Sequence, residues 1–288
     1  MTRGELVSEL AVTLGARHEA RFIVEEVLGS AAPGDVAVES ADVDTARTLA
    51  GRRRSGEPLQ YVLGHWAFRT LDLLVDRRVL VPRPETEQVV EVALEELARV
   101  PAGRRVNIVD AGTGTGAIAL SLAVELADRP AGGEIWATDA SADALAVAVA
   151  NLDRVCARAR RLLPVTFVRG SWLAPLPPTL KGSVDLVVSN PPYVARGEWP
   201  LLPDDVRREP FGALVAPDGT DGTAGLGDVE AVLSQAWTWL ARPGAVVVEL
   251  APQQADAAAR LARRMGYRDV RIAPDLSARS RALVGQAR

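Results

Sequence analysis

The sequence predicts an α/β protein: a mostly parallel sheet with helices on both faces, preceded by a small helical N-terminal region. Three observations carry this. Short apolar strands at 106–110, 134–138, 165–168, 184–189 and 245–250 alternate with helical stretches near 115–127, 141–157, 228–241 and 252–265. Such alternation builds a parallel sheet, because each parallel crossover is made through a helix. A glycine-rich turn, Gly112 to Gly116, follows the first of these strands and opens its helix. Residues before Gly56, by contrast, carry apolar side chains at helical spacing only.

Taken in order, Leu6, Leu10 and Leu14 mark a first helix, and Ile23, Val24, Val27 and Leu28 a second that stops at Gly29. A third runs over 43–54 and ends in Arg52, Arg53 and Arg54, cations that favour the negative end of the helix dipole and are expected on a solvated face. So short a region buries little by itself, so it is expected to pack as a small bundle or lean on the rest. Between 59 and 81, Trp66, Phe68, Leu71, Leu73, Val75 and Val79 predict a hairpin-like connector. The chain thus divides into a helical domain at 1–58, a connector at 59–82 and an α/β domain at 83–288. The stretch 194–227, rich in Pro, Gly and Asp, is expected to be a long loop of the kind that serves as a lid or binding segment.

Composition narrows the function. The chain has 288 residues, 48% apolar and 24% charged, as in soluble globular proteins. Its 33 basic and 37 acidic side chains leave a net charge of -4, without the global positive charge of a protein that grips nucleic acid through phosphates. The one cysteine excludes an intramolecular disulfide; Cys156 falls on the helical face of Leu145, Val149 and Leu152 and is expected to be a core thiol in a reducing compartment. No apolar run approaches about eighteen residues, and Met1-Thr2-Arg3-Gly4-Glu5 starts no signal-peptide core. A cytoplasmic location without membrane contact is the expectation.

In Asp110-Ala111-Gly112-Thr113-Gly114-Thr115-Gly116-Ala117, glycine lets a ligand approach backbone where a side chain would clash. Gly112, Gly114 and Ala117 also satisfy the dinucleotide fingerprint, so the loop alone leaves NAD and S-adenosylmethionine both open. Two features favour the methyl donor. Asp110 heads a D-x-G-x-G-x-G pattern that resembles the first motif of class I methyltransferases. Asp139, ending the second strand, is placed to accept both ribose hydroxyls, or to cap the helix that follows. Trp172, after the third strand, is placed to pack on an adenine ring, or to fill core.

Asn190-Pro191-Pro192-Tyr193 directly follows the apolar run 184–189. A planar, conjugated NH2 has its lone pair tied up in resonance. The Asn190 side-chain carbonyl and a backbone carbonyl beside a rigid Pro-Pro can each accept one of its N–H bonds, and Tyr193 can stack on it. The same tetrapeptide also suits the end of a strand, since Pro cannot continue a ladder.

Together, the loop, Asp139, Trp172 and 188–193 resemble the amino-methyltransferases that act on glutamine, adenine or cytosine amines. Glu57-Pro58-Leu59-Gln60-Tyr61-Val62-Leu63-Gly64, Val81-Pro82-Arg83-Pro84-Glu85-Thr86-Glu87, Glu209-Pro210 and the tail 275–281 narrow this. With them nearly the whole chain resembles the release-factor glutamine N5-methyltransferases, the HemK/PrmC family. The resemblance implies a Rossmann-like class I methyltransferase domain behind a helical substrate-recognition domain. It implies methyl transfer from S-adenosylmethionine, leaving S-adenosylhomocysteine, to the amide nitrogen of the glutamine in the Gly-Gly-Gln loop of peptide chain release factors, with no metal and no covalent intermediate. By the same resemblance Gly112, Thr113, Gly114, Thr115, Gly116, Asp139, Trp172 and Asn190 hold the donor, and Asn190, Pro191, Pro192 and Tyr193 hold the glutamine, with Asn190, Pro191 and Tyr193 catalytic. Pro82-Arg83-Pro84-Glu85 would cover the donor's methionine end, or simply start a helix. The chain departs from the family pattern at Arg208, where Tyr is usual, and at Ala251-Pro252, where Gly is usual. His18 and His65 lie outside every motif. The rivals are an adenine-N6 methyltransferase, a non-catalytic donor-binding module and an NAD dehydrogenase.

Overall fold

The computed structural model describes residues 1–31 and 33–288. Its first three helices are α1 (Arg3–Leu14), α2 (Arg17–Leu28) and α3 (Ser40–Arg54). Thr2 and Glu5 start α1 with a capping box: the Thr2 hydroxyl accepts from the Glu5 N–H at 3.2 Å, and the Glu5 carboxylate accepts from the Thr2 N–H at 2.8 Å. Leu6, Leu10, Ile23, Val24 and Ala46 close a core of their own, joined by Leu59 from the short helix α4 (Leu59–Leu63). The region is therefore a bundle, and the first five residues of the expected connector belong to it as a helix.

Arg54 is exposed as expected of the arginine triplet, but Arg52 and Arg53 are only partly so. Arg53 reaches Glu19 of α2 at 2.8 Å, the Glu57 carbonyl at 3.1 Å and Asp205 of a distant segment at 3.2 Å. Arg52 pairs with Glu57 at 2.7 Å. A bundle with so little core gains from partly buried polar ties, and Arg52 and Arg53 supply them.

Strands β1 (His65–Phe68) and β2 (Leu71–Leu74) form the expected hairpin. Phe68, Leu71 and Leu73 point into the main core, and Asn151 binds β2 as a neighbouring strand would, accepting from the Leu74 N–H at 2.6 Å and donating to its carbonyl at 3.1 Å.

The α/β domain opens with α5 (Pro84–Ala98), whose proline sits at the first turn with Glu85 and Glu87, both favoured there. There follow β3 (Val106–Ala111), α6 (Ala117–Glu125), β4 (Gly133–Asp139), α7 (Ala142–Cys156), β5 (Val165–Arg169), β6 (Val184–Ser189), β7 (Val194–Ala195), α8 (Phe211–Leu214), β8 (Val215–Ala216), α9 (Gly227–Trp239), β9 (Leu240–Glu249), α10 (Ala255–Arg264), β10 (Arg268–Pro274) and β11 (Ser280–Ala287). Seven strands make one sheet in the order β10-β11-β9-β6-β3-β4-β5. The five expected strands run parallel, as expected. The antiparallel pair β10 and β11 is an addition whose arginines and glutamine hid it among polar sequence. Helices cover both faces, over one core that includes Val89, Leu120 and Leu122 and another that includes Val232, Leu233 and Leu261.

Two further expectations are corrected. Cys156 is exposed: the buried stripe of α7 runs through Ala144, Val147, Ala148, Asn151 and Val155, while Val149 faces solvent. The residues at 194–227 are not structureless either. β7 pairs with β8, Val194 opposite Val215, and the Gln254 side chain binds the Tyr193 carbonyl at 3.0 Å and that of Ala224 at 2.9 Å. Among the described residues no helix is long and apolar enough to cross a membrane.

Ile23 is fully buried in the bundle. Ile23→Ala is expected to destabilise the protein by about 2–5 kcal/mol, read as a lower urea midpoint; an unchanged midpoint would show that this side chain does not close the bundle.

Candidate active site

After β3 the chain winds outward to β4 and β5, then returns to place β6 on the other side of β3. At such a reversal the two flanking loops leave toward opposite faces and open a crevice at the carboxyl edge of the sheet. A cleft of about 440 Å³ lies there, with Gly112, Gly114, Asp139, Trp172 and Asn190 in its lining. Its two sides are tied by Ser189, whose hydroxyl donates to the Ala111 carbonyl at 2.6 Å.

The glycine loop is left-handed at Gly112 (φ 79°), Gly114 (φ 55°) and Gly116 (φ 83°), a backbone that L side chains rarely adopt. A Cβ on Gly112 would lie 3.1 Å from the Trp172 ring. The Gly112 and Thr113 N–H groups donate to the Thr138 carbonyl at 2.9 and 2.8 Å. Beneath the loop, one oxygen of Asp110, Oδ2, accepts from the Thr113 hydroxyl at 2.6 Å and the Ala119 N–H at 3.2 Å, while Oδ1 has no partner among the described residues. Burial pushes this carboxyl up to about 7.

Asp139 accepts from the Gly114 N–H and the Ser141 N–H, both at 2.9 Å. The cap of α7 is Ser141, which accepts from the Ala144 N–H at 3.1 Å. Asp139 therefore shapes the loop and keeps lone pairs for the cleft it lines; burial raises its pKa. Trp172 is half-buried on the cleft wall and has a φ of 50°, rare for a bulky residue, held by the Thr138 hydroxyl on its carbonyl at 2.7 Å.

Across the cleft, the Asn190 Nδ2 donates to the Thr86 hydroxyl at 3.1 Å, and that hydroxyl donates to Glu249 Oε2 at 2.7 Å. Glu249 is fully buried at the end of β9, where burial pushes it up to about 7. Its other oxygen faces the Tyr193 hydroxyl at 3.4 Å and the Arg281 guanidinium at 4.0 Å. Among the described residues, the Asn190 Oδ1 accepts no hydrogen bond from the protein.

Of the residues singled out from sequence, Gly112, Thr113, Gly114, Thr115, Asp139, Trp172, Asn190 and Pro192 line the cleft. Gly116 instead caps α6, Pro191 is buried, and Tyr193 turns its hydroxyl to Glu249 without joining the lining. Pro82 lines the cleft as well, and Glu209 pins its surroundings by accepting from the Val81 N–H at 2.9 Å and pairing with Arg83. His65 is held between Glu26 and Asp72, outside the cleft lining. Sequence reasoning missed Thr86 and Glu249 as a linked pair. A carboxylate inside the apolar run of β9 was the available signal, since a buried charge needs partners.

A family model described as a methyltransferase small domain matches residues 89–201. The chain is 40% identical to the release factor glutamine methyltransferase of Bordetella pertussis, over 91% of either chain. It is 34% identical to the protein of that name from Salmonella typhimurium, over 98% of this chain and 96% of that one. A methyltransferase crystal structure from Pyrococcus furiosus superposes with a TM-score of 0.51 at 15% identity, covering 85% of this chain and 98% of that chain, and so shares the fold.

Asp110 links the site to stability. Its folded pKa of about 7 lies above the unfolded carboxylate value of about 3.9, so its stabilising contribution is full at acid pH and lost as pH rises through about 7. Asp110→Asn keeps an acceptor for Thr113 and Ala119 without the charge. Its melting temperature relative to the native protein is expected to climb as pH rises through that window; a difference that does not change with pH would refute the assignment.

Proposed function

The chain belongs to the release factor glutamine methyltransferases, and from that membership we propose that it moves a methyl group from S-adenosylmethionine to the side-chain amide nitrogen of a glutamine, the one in the Gly-Gly-Gln loop of peptide chain release factors. The Asn190 amide carries this reading. It lines the cleft opposite the glycine loop with its NH2 engaged by Thr86 and its oxygen unengaged.

The residues present fit the donor. Gly112 is a cradle that a Cβ would fill, Asp139 keeps lone pairs for ribose hydroxyls, and the Trp172 ring offers a flat apolar wall for adenine. When bound, S-adenosylmethionine supplies an electrophilic methyl group on a sulfonium sulfur. The chain's own part is positioning. Asn190 Oδ1 accepts one N–H of the glutamine amide, and a backbone carbonyl of the rigid Pro191-Pro192 pair accepts the other. Both bonds draw electron density onto a nitrogen otherwise depleted by resonance. The amide proton leaves once the nitrogen has become cationic, so no histidine base is required.

We assign residues 1–58 to recognition of the substrate protein. In support, Arg53 reaches Asp205, and Arg208 donates to the Ser55 carbonyl, which joins the bundle to a segment whose Pro210 and Ala213 line the cleft. Arg208 replaces the family's usual tyrosine at this joint, and Pro252 opens the turn that carries Gln254 to the Tyr193 carbonyl. We assign the reaction to the cytoplasm, with the translation machinery.

The test is methyl-labelled donor incubated with purified release factor, ribosomes, DNA and tRNA. Label is expected on the release factor, at glutamine. Asn190→Ala is expected to lower turnover by on the order of 10²-fold while weakening donor binding far less. Label on DNA or tRNA, or near-native transfer by the variant, would overturn the reading.

A further inference from the structure

Thr86 stands between the cleft and a buried carboxylate. It belongs to the first turn of α5, is 4% exposed, and touches Asn190 on one side and Glu249 on the other. A hydroxyl has one proton to give and two lone pairs. Glu249 as a carboxylate can only accept, so at 2.7 Å it takes the Thr86 proton. What Thr86 then turns to Asn190 is a lone pair, and only the NH2 of the Asn190 amide can meet it. The second oxygen of Glu249 is occupied from the other side by the Tyr193 hydroxyl and by Arg281, itself paired with Asp275 at 3.2 Å. With Glu249 ionised, the hydrogen-bond sense along Glu249, Thr86 and Asn190 is therefore set from the interior outward.

We propose that Thr86 and Glu249 are positioning residues that hold the Asn190 amide with its oxygen toward the substrate, and that this orientation is what admits glutamine and rejects glutamate. The proposal rests on the glutamine reading above. An amide rotated by half a turn would present NH2 to the NH2 of the substrate, donor against donor. In the orientation held by Thr86, a substrate carboxamide donates to Asn190 Oδ1. A substrate carboxylate of the same shape would set acceptor against acceptor inside a partly desolvated cleft, where an unpaired polar group is costly. Shape separates glutamine from glutamate poorly, and hydrogen-bond polarity separates them well.

The experiment compares native protein, Thr86→Val, Thr86→Ser, Asn190→Ala and the Thr86→Val/Asn190→Ala double variant in methyl transfer to purified release factor. The assay pH is kept above about 7 so that Glu249 is ionised. Thr86→Val is expected to lower kcat about three- to tenfold with the donor Kd changed far less, as read by calorimetry, and Thr86→Ser to restore it. In the Asn190→Ala background, Thr86→Val should have no further effect, because a residue that acts through Asn190 has nothing left to position. Equal multiplicative losses in both backgrounds, or a native kcat for Thr86→Val, would sink the proposal. Nitrogen-15 labelling gives a readout that needs neither substrate nor variant. In the native protein one Asn190 side-chain N–H should exchange slowly, and rapid exchange of both overturns the relay even if Thr86→Val does not fold. If the native protein labels no release factor, the functional reading fails, and slow exchange still decides the orientation of the amide.

Discussion

The hydroxyl of Ser189 donates to the carbonyl of Ala111, and this bond holds the ends of β6 and β3 level with each other. Both strands are central and parallel, with Asp110 in register with Val188, so their ends necessarily emerge on one edge of the sheet. What leaves β3 is the glycine loop, and what leaves β6 is Asn190. Ser189 is fully buried, and a buried hydroxyl without a partner is strongly disfavoured. The two halves of the cleft therefore inherit the rigidity of the sheet, and chemistry that depends on placement to within an ångström begins from a fixed distance between them.

Buried carboxylates divide by what surrounds them. Asp185, at the start of β6, meets Arg104 and the Asn107 N–H and serves to fasten two strands at the edge away from the cleft. Asp110 and Glu249 lie at the opposite edge, and burial lifts both toward neutrality. Asp110 binds the loop through Thr113, and Glu249 binds Thr86, which in turn accepts from the Asn190 amide. The carboxyl oxygens at this edge accept hydrogen bonds from Thr113, Ala119 and Thr86; a well-packed apolar substitute would give up the direction that a hydrogen bond confers.

Much of this was legible in sequence because it is periodic or local. The parallel strands announce themselves by apolar runs, the glycine loop by spacing, and Asn190 by its place after a buried strand. What escaped depended on contacts far apart in the chain. Thr86 and Glu249 are 163 residues apart, and nothing local to Thr86 shows which way its hydroxyl turns. The partial burial of Arg53 was hidden because a run of three arginines at a helix end looks solvated until Asp205, far along the chain, is folded against it. Cys156 was misplaced by a stripe drawn one step too far round α7, since Leu145 and Leu152 are only partly buried while Val149 and the cysteine are exposed. β10 and β11 escaped because arginine and glutamine interrupt their apolar pattern, Arg281 and Gln286 being buried with acidic partners.

The segment over the cleft is held at two points by charge. Glu209 binds Val81 and Arg83, and Arg53 joins Asp205 to Glu19 in the bundle. Loops that bind proteins commonly lose conformational freedom on association, at roughly 0.5–1.5 kcal/mol for each immobilised side chain. Here much of that ordering is already complete, because folding has fixed Asp205 and Glu209, the residues that lead into Pro210. For the substrate protein proposed above, an incoming loop would meet a formed opening, so the entropy of closing it would be charged to the stability of the enzyme and not to the affinity for its substrate.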